Sequence, residues 1–244
     1  GSTMGIGKAI AIKFVSEGAK VVIHGLENEL AENLGKMLGN ENCIFHIEDL
    51  SNSGCSDRLV SLAIKKWNKI DGIVNNAAMV INSNIDNTDE KLLNDVLKVN
   101  TFAPFFLIKS ALPYLTKSRG SVLNIGSVNA WSGEPNLLAY SISKGALMTM
   151  TRNLGDSLNR KNNVKVNQIN PGWVLTEKEV ERKKNHSAQE QIYLLRKVLC
   201  VLGEVIFLPG IQFGLPANDL VCLGKRGPHP RTYLQLLLIL PLPR

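Results

Sequence analysis

The chain has 244 residues, 44% of them hydrophobic, with 28 Lys and Arg against 21 Asp and Glu for a formal charge of +7. That length suits one domain with a sizeable core. The positive charge forms no basic stripe interleaved with aromatics, so it reads as solvated surface and no nucleic-acid partner is expected.

The elements follow in chain order. Gly1-Ser-Thr-Met-Gly5-Ile-Gly7-Lys-Ala-Ile-Ala11 is a G-x-x-x-G-x-G loop that runs into an amphipathic helix. Glycines allow a tight turn and a close approach of backbone to a diphosphate, and the helix start offers free N–H groups and a positive dipole end. Such a loop ordinarily follows a buried strand. The chain opens on Gly1, so its first strand is expected to be missing.

Lys20-Val-Val-Ile-His24 reads as a short strand. Glu27 to Leu38 reads as a helix with Leu30, Leu34, Met37 and Leu38 on its apolar face. Cys43-Ile-Phe-His46 is a strand, and residues Asp57 to Trp67 a helix. Ile70-Asp-Gly-Ile-Val74 is a buried strand. Residues Glu90 to Leu115 are helical, with Pro104 and Pro113 as interruptions. Strand 121–125, helix 138–160 and strand 164–169 follow. Strands that alternate with helices of this length predict an α/β fold, a parallel sheet covered on both faces. Ligands in such sheets bind at the carboxyl ends of the strands.

Ser127, Tyr140 and Lys144 carry the clearest chemistry. Tyr140 and Lys144 share one face of a helix, one turn apart. Ser127 precedes that helix, after the apolar run Ser121-Val-Leu-Asn-Ile125. A free Tyr has a pKa near 10, too high for general acid/base work at neutral pH. An adjacent ammonium favours the phenolate, and a drop of about 3 units is worth about 4 kcal/mol. Tyr140 is therefore expected to move a proton, Lys144 to make it acidic enough, and Ser127 to hold a carbonyl oxygen.

With these motifs in order, residues 1 to about 180 resemble the short-chain dehydrogenase/reductase (SDR) family. Gly1, Gly5 and Gly7 match its cofactor loop, without the usual Thr before the first Gly. Asp49-Leu50 matches the pair that contacts the adenine ring. Asn75-Asn76-Ala77-Ala78 matches the Asn-Asn-Ala-Gly motif, with Ala last. Asn100, in Lys98-Val99-Asn100, falls where the family has its fourth catalytic residue. Asn170-Pro171-Gly172-Trp173-Val174-Leu175-Thr176 matches the segment that lies along the nicotinamide.

The resemblance implies a Rossmann-like, doubly wound, three-layer αβα fold. It also implies an oxidoreductase that moves a hydride between NAD(P)(H) and a carbonyl or secondary alcohol. Asn100, Ser127, Tyr140 and Lys144 would be catalytic, with Asn100 holding a water that links Lys144 to solvent. Gly1, Ser2, Met4, Gly5, Ile6, Gly7, Asp49, Leu50, Asn76, Ala77, Tyr140, Lys144, Pro171, Gly172, Val174 and Thr176 would contact the cofactor. Gly25 stands where NAD-preferring relatives carry Asp, and Leu26 where many NADP-preferring relatives carry Arg. The missing Asp tilts the expectation to NADP. Ser2 is placed to meet a phosphate, and Glu27 keeps NAD in play through a ribose contact. A homodimer or homotetramer through helices 90–115 and 138–160 is implied as well. A sugar, a polyol, an acyl thioester and a steroid-like ketone all remain open as substrates, shaped by Asn129 to Leu138 with Trp131.

From about residue 185 the pattern changes. Six of the ten prolines lie beyond it, and Leu dominates. The expected division is a catalytic domain over 1–185 and a divergent or out-of-frame tail over 186–244, with His186 and His229 incidental. The alternative function is a catalytically impaired nucleotide-binding fragment or scaffold. Cys43, Cys55, Cys200 and Cys222 show no paired metal spacing, so no metal is expected, and no secreted disulfide framework is suggested. No signal peptide is visible, and the Leu234 to Leu240 run is too short to span a bilayer. The expected setting is cytoplasmic, with no membrane partner.

Overall fold

A computed structural model describes residues 1–174 and 176. The expected tail over 186–244 and any lid beyond Thr176 lie outside the described residues. Gly1–Pro171 forms one compact unit, and Gly172 begins a second.

Helices and strands alternate through the first unit. Helix α1 spans Gly5–Ser16, β1 Val21–Gly25, α2 Asn28–Leu38, β2 Cys43–Ile47, α3 Cys55–Trp67 and β3 Gly72–Asn75. Helix α4 covers Glu90–Leu97, and a π-helical turn over Lys98–Phe102 joins it to α5, Ala103–Ser118. Strand β4 is Ser121–Ile125, α6 Asn129–Ser132, α7 Leu138–Asn162 and β5 Lys165–Ile169. Among the described residues all strand pairings are parallel: β1 with β2 in one sheet, and β3-β4-β5 in the other. This is the parallel α/β arrangement that the alternation predicts and the Rossmann-like fold that the resemblance implies. The strands direct their carboxyl ends to one edge, where the loops of interest lie. Among the described residues no helix is long and apolar enough to cross a membrane.

Each sheet has its own core. Val60, Ile108, Ala111, Leu115, Val122, Val164 and Val166 pack α3 and α5 against β4 and β5. Ala11, Ile23, Ala31, Leu34, Leu38 and Cys43 pack α1 and α2 against β1 and β2. Fully burying a side chain such as Ile23 or Leu34 contributes about 2 kcal/mol. Met37, expected on the apolar face of α2, is 62% exposed. The buried stripe Ala31, Leu34 and Leu38 follows the i, i+3, i+7 spacing, and position 37 falls to its side.

The expected interruptions at Pro104 and Pro113 do not break the helix. Pro104 stands in the first turn of α5, directly after the π-helical turn at Lys98–Phe102, and the chain stays helical through it. Pro113 lies inside α5. Helix α4 starts on a side-chain cap, with Asp89 Oδ1 accepting from Leu92 N at 2.7 Å.

Candidate active site

The glycine loop bridges the ends of β1 and β3. Ser2 N donates to the His24 carbonyl at 2.7 Å, and Asn76 Nδ2 donates to the Gly1 carbonyl at 2.6 Å. Space here is closed to side chains. A Cβ on Gly7 would lie 1.8 Å from the Gly1 carbonyl oxygen, and one on Gly1 2.7 Å from Ala77 Cα. Gly5 has φ +52, in the left-handed region that glycine adopts freely. Met4 stands at the N-cap of α1 and caps no N–H group with its side chain. Ile6 lies in the first turn. Bare N–H groups behind a glycine loop fit a diphosphate.

The residues expected to meet the adenosine lie at the ends of β1 and β2. Ser2 Oγ accepts from His24 N at 3.2 Å, so this hydroxyl faces β1. Gly25 has no room for a side chain: its Cβ would lie 2.7 Å from Thr3 Cγ2 and 2.9 Å from Thr3 Oγ1. Leu26 is 66% exposed. Asp49 Oδ1 accepts from Ser51 N at 2.7 Å, which fixes the turn that carries Leu50. His24 ring nitrogen Nε2 lies 2.8 Å from the Glu48 carbonyl oxygen, and burial pulls its pKa down to about 4.

Beside this edge, His46, Glu48 and Cys55 bring ligand-type atoms within 4.8 Å of one another. Arg58 already engages both oxygens of Glu48, and His46 Nε2 stands 2.7 Å from one of them. The Arg58 guanidinium holds the Glu48 carboxyl well below the usual range. The group is a charge-paired hub.

Ser127, Tyr140 and Lys144, the expected catalytic residues, gather at the end of β4 and the start of α7. Ser127 is 7% exposed and follows β4 by two residues. Its N–H donates to Asn170 Oδ1 at 3.1 Å, and its Oγ accepts from Asn129 N at 3.1 Å. Ser127 also acts on the Tyr140 phenol and draws its pKa down. Lys144 is 2% exposed and donates from Nζ to the Ile125 carbonyl at 2.6 Å.

Here the structure departs from the expected electrostatics. Burial raises the Tyr140 pKa, and Ser127 draws it back only in part. Lys144 contributes no resolved lowering in this arrangement. Burial pulls the lysine itself down to about 8, because a desolvated ammonium is disfavoured.

Asn100 lies in the π-helical turn and is 1% exposed. Its Oδ1 accepts from Met79 N at 2.7 Å, and its Nδ2 donates to Met79 O at 2.9 Å and to Ser143 Oγ at 2.9 Å. Ser143 Oγ donates to the Tyr140 carbonyl at 2.7 Å. Asn100 thus joins the segment after β3 to α7. Ser143 was not among the expected site residues, although it stands next to Lys144.

A second unexpected feature supports Ser127. Asn75 Nδ2 donates to Asn124 Oδ1 at 2.8 Å, and Asn124 Nδ2 to Thr151 Oγ1 at 2.8 Å. Thr151 Oγ1 lies 2.8 Å from Gln168 Oε1, and Gln168 Nε2 donates to Asn170 Oδ1 at 2.6 Å. This buried polar ladder crosses β3, β4, α7 and β5 and ends on Ser127 N. Gly126 is needed beneath it: a Cβ there would lie 2.1 Å from Asn170 Oδ1.

Pro171 closes the unit, its carbonyl accepting from Val128 N at 3.1 Å. Gly172, Val174 and Thr176 belong to the second unit, where Thr176 N donates to Val174 O at 2.9 Å.

Comparison with known proteins gives one consistent answer. The family model described as short chain dehydrogenase matches residues 1–187. An NADP-dependent (R)-specific alcohol dehydrogenase of Lentilactobacillus kefiri is 32% identical over 181 residues, covering 72% of this chain and 71% of the relative. NADPH-dependent aldehyde reductase 1, chloroplastic, of Arabidopsis thaliana is 34% identical over 186 residues, covering 72% of this chain and 64% of that protein. The chain therefore spans less than two thirds of that relative's length. The crystal structure of 3-ketoacyl-(acyl-carrier-protein) reductase from Brucella melitensis complexed with NADH superposes with a TM-score of 0.69 at 25% identity, over 74% of this chain and 76% of that one.

Proposed function

The chain belongs to the short-chain dehydrogenase family, and we propose that it is an oxidoreductase acting on a carbonyl or secondary alcohol with NADP(H), with Tyr140 as general acid and base. The observation that carries this reading is the buried Lys144 ammonium, one helical turn from Tyr140 and 5.6 Å from the centre of its ring, with Ser127 drawing the phenol pKa down. The family uses NAD(P), and the bound nicotinamide supplies or takes the hydride. Gly1, Gly5, Gly7, Ser2, Met4 and Ile6 would hold the diphosphate end. Asp49 and Leu50 would meet the adenine, and Asn76, Ala77, Tyr140, Lys144 and Pro171 the nicotinamide end.

Everything else falls to the chain's own groups. Burial keeps the Tyr140 phenol protonated at neutral pH, so it enters a reduction as a proton donor. Ser127 hydrogen-bonds the same oxygen that Tyr140 protonates, a contact of the oxyanion-hole type. When Tyr140 gives up its proton, Lys144 is the nearby cation that stabilises the phenolate. The phenolate that forms is also the base for the reverse oxidation. Asn100 fixes the helix through Ser143, and a water on Asn100 would return the proton.

NADP is the preferred cofactor in this reading. The Gly25 site excludes the acidic side chain that would select a ribose 2′-hydroxyl. The names of the Lentilactobacillus and Arabidopsis relatives point the same way, and the Brucella structure with NADH keeps NAD as the second choice. A homodimer or homotetramer in the cytoplasm completes the proposal.

A panel of ketones and aldehydes with NADPH and NADH tests it. Tyr140→Phe is expected to abolish turnover while sparing cofactor binding, read by energy transfer from tryptophan to NADPH. An active Tyr140→Phe enzyme overturns the mechanism. Cofactor binding without turnover of any substrate favours the scaffold reading.

A further inference from the structure

Helix α7 carries Tyr140 in its first turn and Lys144 in its second. The first N–H groups of a helix have no partner within it, and an N-cap side chain normally accepts from one. Leu137 stands at this cap and accepts nothing with its side chain. The capping group comes from 56 residues away. Ala139 N donates to Ser83 Oγ at 3.1 Å, and Leu138 N donates to the Ser83 carbonyl at 2.9 Å.

Ser83 is itself held from three sides. Its N–H donates to the Asn136 carbonyl at 2.9 Å, its hydroxyl donates to the Ile81 carbonyl at 3.3 Å, and it forms a parallel bridge with Leu137. Ser83 is 1% exposed and Ala139 0%, so water does not replace these bonds. An unpaired N–H at Ala139 would be a buried orphan.

We propose that Ser83 is a positioning residue: a cap supplied by a distant segment of the chain that fixes the first turn of α7, and with it Tyr140, against the segment leaving β3. That segment also contains Met79, which Asn100 grips on both backbone groups. The Asn100–Ser143 bond secures α7 at the turn of Lys144. Ser83 secures the turn before it, so the two contacts set the Tyr140–Lys144 pair as a unit. Only the kinetic consequence rests on Tyr140 being the proton donor; the capping does not.

Amide hydrogen exchange on the full chain tests the cap without requiring turnover. In the wild-type protein the Ala139 amide is expected to exchange at least a hundredfold more slowly than an unstructured amide. Exchange at the unprotected rate overturns the proposal, and this measurement needs no variant to fold. Ser83→Ala is expected to speed exchange at Ala139 at least tenfold while leaving the Leu147 and Thr151 amides unchanged. Ser83→Thr, which keeps the hydroxyl, is expected to retain slow exchange at Ala139. Unchanged exchange in Ser83→Ala, or loss of protection in both variants alike, overturns it. With an active enzyme, Ser83→Ala should lower kcat about tenfold and leave the cofactor KM within twofold. Absence of wild-type turnover removes the proposed function and leaves the exchange result standing.

Discussion

Lys144 Nζ lies 5.6 Å from the centre of the Tyr140 ring. The ammonium faces the π surface and gives a hydrogen bond to the Ile125 carbonyl, while Ser127 acts on the phenol. The two side chains are close enough to couple yet have different partners, and each therefore answers to a different substitution.

Lys144→Met removes a buried ammonium. The folded lysine has a pKa near 8 against an ordinary 10.5. Between those values the unfolded chain binds the extra proton, so the lysine's contribution to stability rises with pH. Below pH 8 its burial costs about 3 kcal/mol, and this cost fades by about pH 10.5. Urea midpoints should show Lys144→Met gaining on wild type at pH 7 and losing that gain as pH rises. A pH-independent difference would contradict the shift.

Ser127→Ala removes the one contact that lowers the Tyr140 pKa. Ultraviolet titration of the tyrosines should show one phenol moving upward by comparison with wild type. Loss of a contact to the developing oxyanion is expected to lower kcat about 100-fold. A variant that keeps the wild-type rate would remove Ser127 from the reaction.

Gly25→Asp places a side chain against Thr3, which is 6% exposed and has little room to yield. The expected cost is about 1–3 kcal/mol of stability together with weaker NADPH binding. Adding Thr3→Ala removes both close atoms and should restore folding. The double variant should bind NADH more tightly than NADPH, because the carboxylate can then meet a ribose hydroxyl. Unchanged NADPH preference would show that selection lies elsewhere.

Asn124→Leu breaks the buried ladder at its centre. Asn124 is 0% exposed, and its loss leaves the Asn75 amide and the Thr151 hydroxyl each short of a bond. Unsatisfied buried groups cost about 1–3 kcal/mol each. Thermal denaturation should register the loss, and kcat should fall because the ladder ends on Ser127. Wild-type stability would show that the ladder carries no net energy.

Much of this was legible in the chain alone. The apolar run over 121–125 coincides with β4, because a buried parallel strand needs continuous side-chain burial and little else. The glycine loop and the Tyr140–Lys144 pair rest on local spacing, which sequence displays directly. Other features rest on contacts between distant segments. Asn124 interrupts an apolar run, and only Asn75 and Thr151 explain why a polar group is tolerated there. Ser83 lies in an unremarkable polar stretch, and its role depends on a helix start far along the chain. The raised Tyr140 pKa has the same origin: spacing brings a lysine near, but burial decides the sign.

The π-helical turn at Lys98–Phe102 adds one residue to a regular helical turn. Each residue advances an α-helix by about 100°. Deleting a single residue between 98 and 102 would therefore leave a well-formed α-helix and swing one half against the other by that angle. Asn100 could then face Met79 and Ser143, or Ile108, Ala111 and Leu115 could face the core, but not both. The bulge works as a phase adjuster between a helix half chosen for packing and one chosen for chemistry. Insertions and deletions there should be tolerated far less than substitutions.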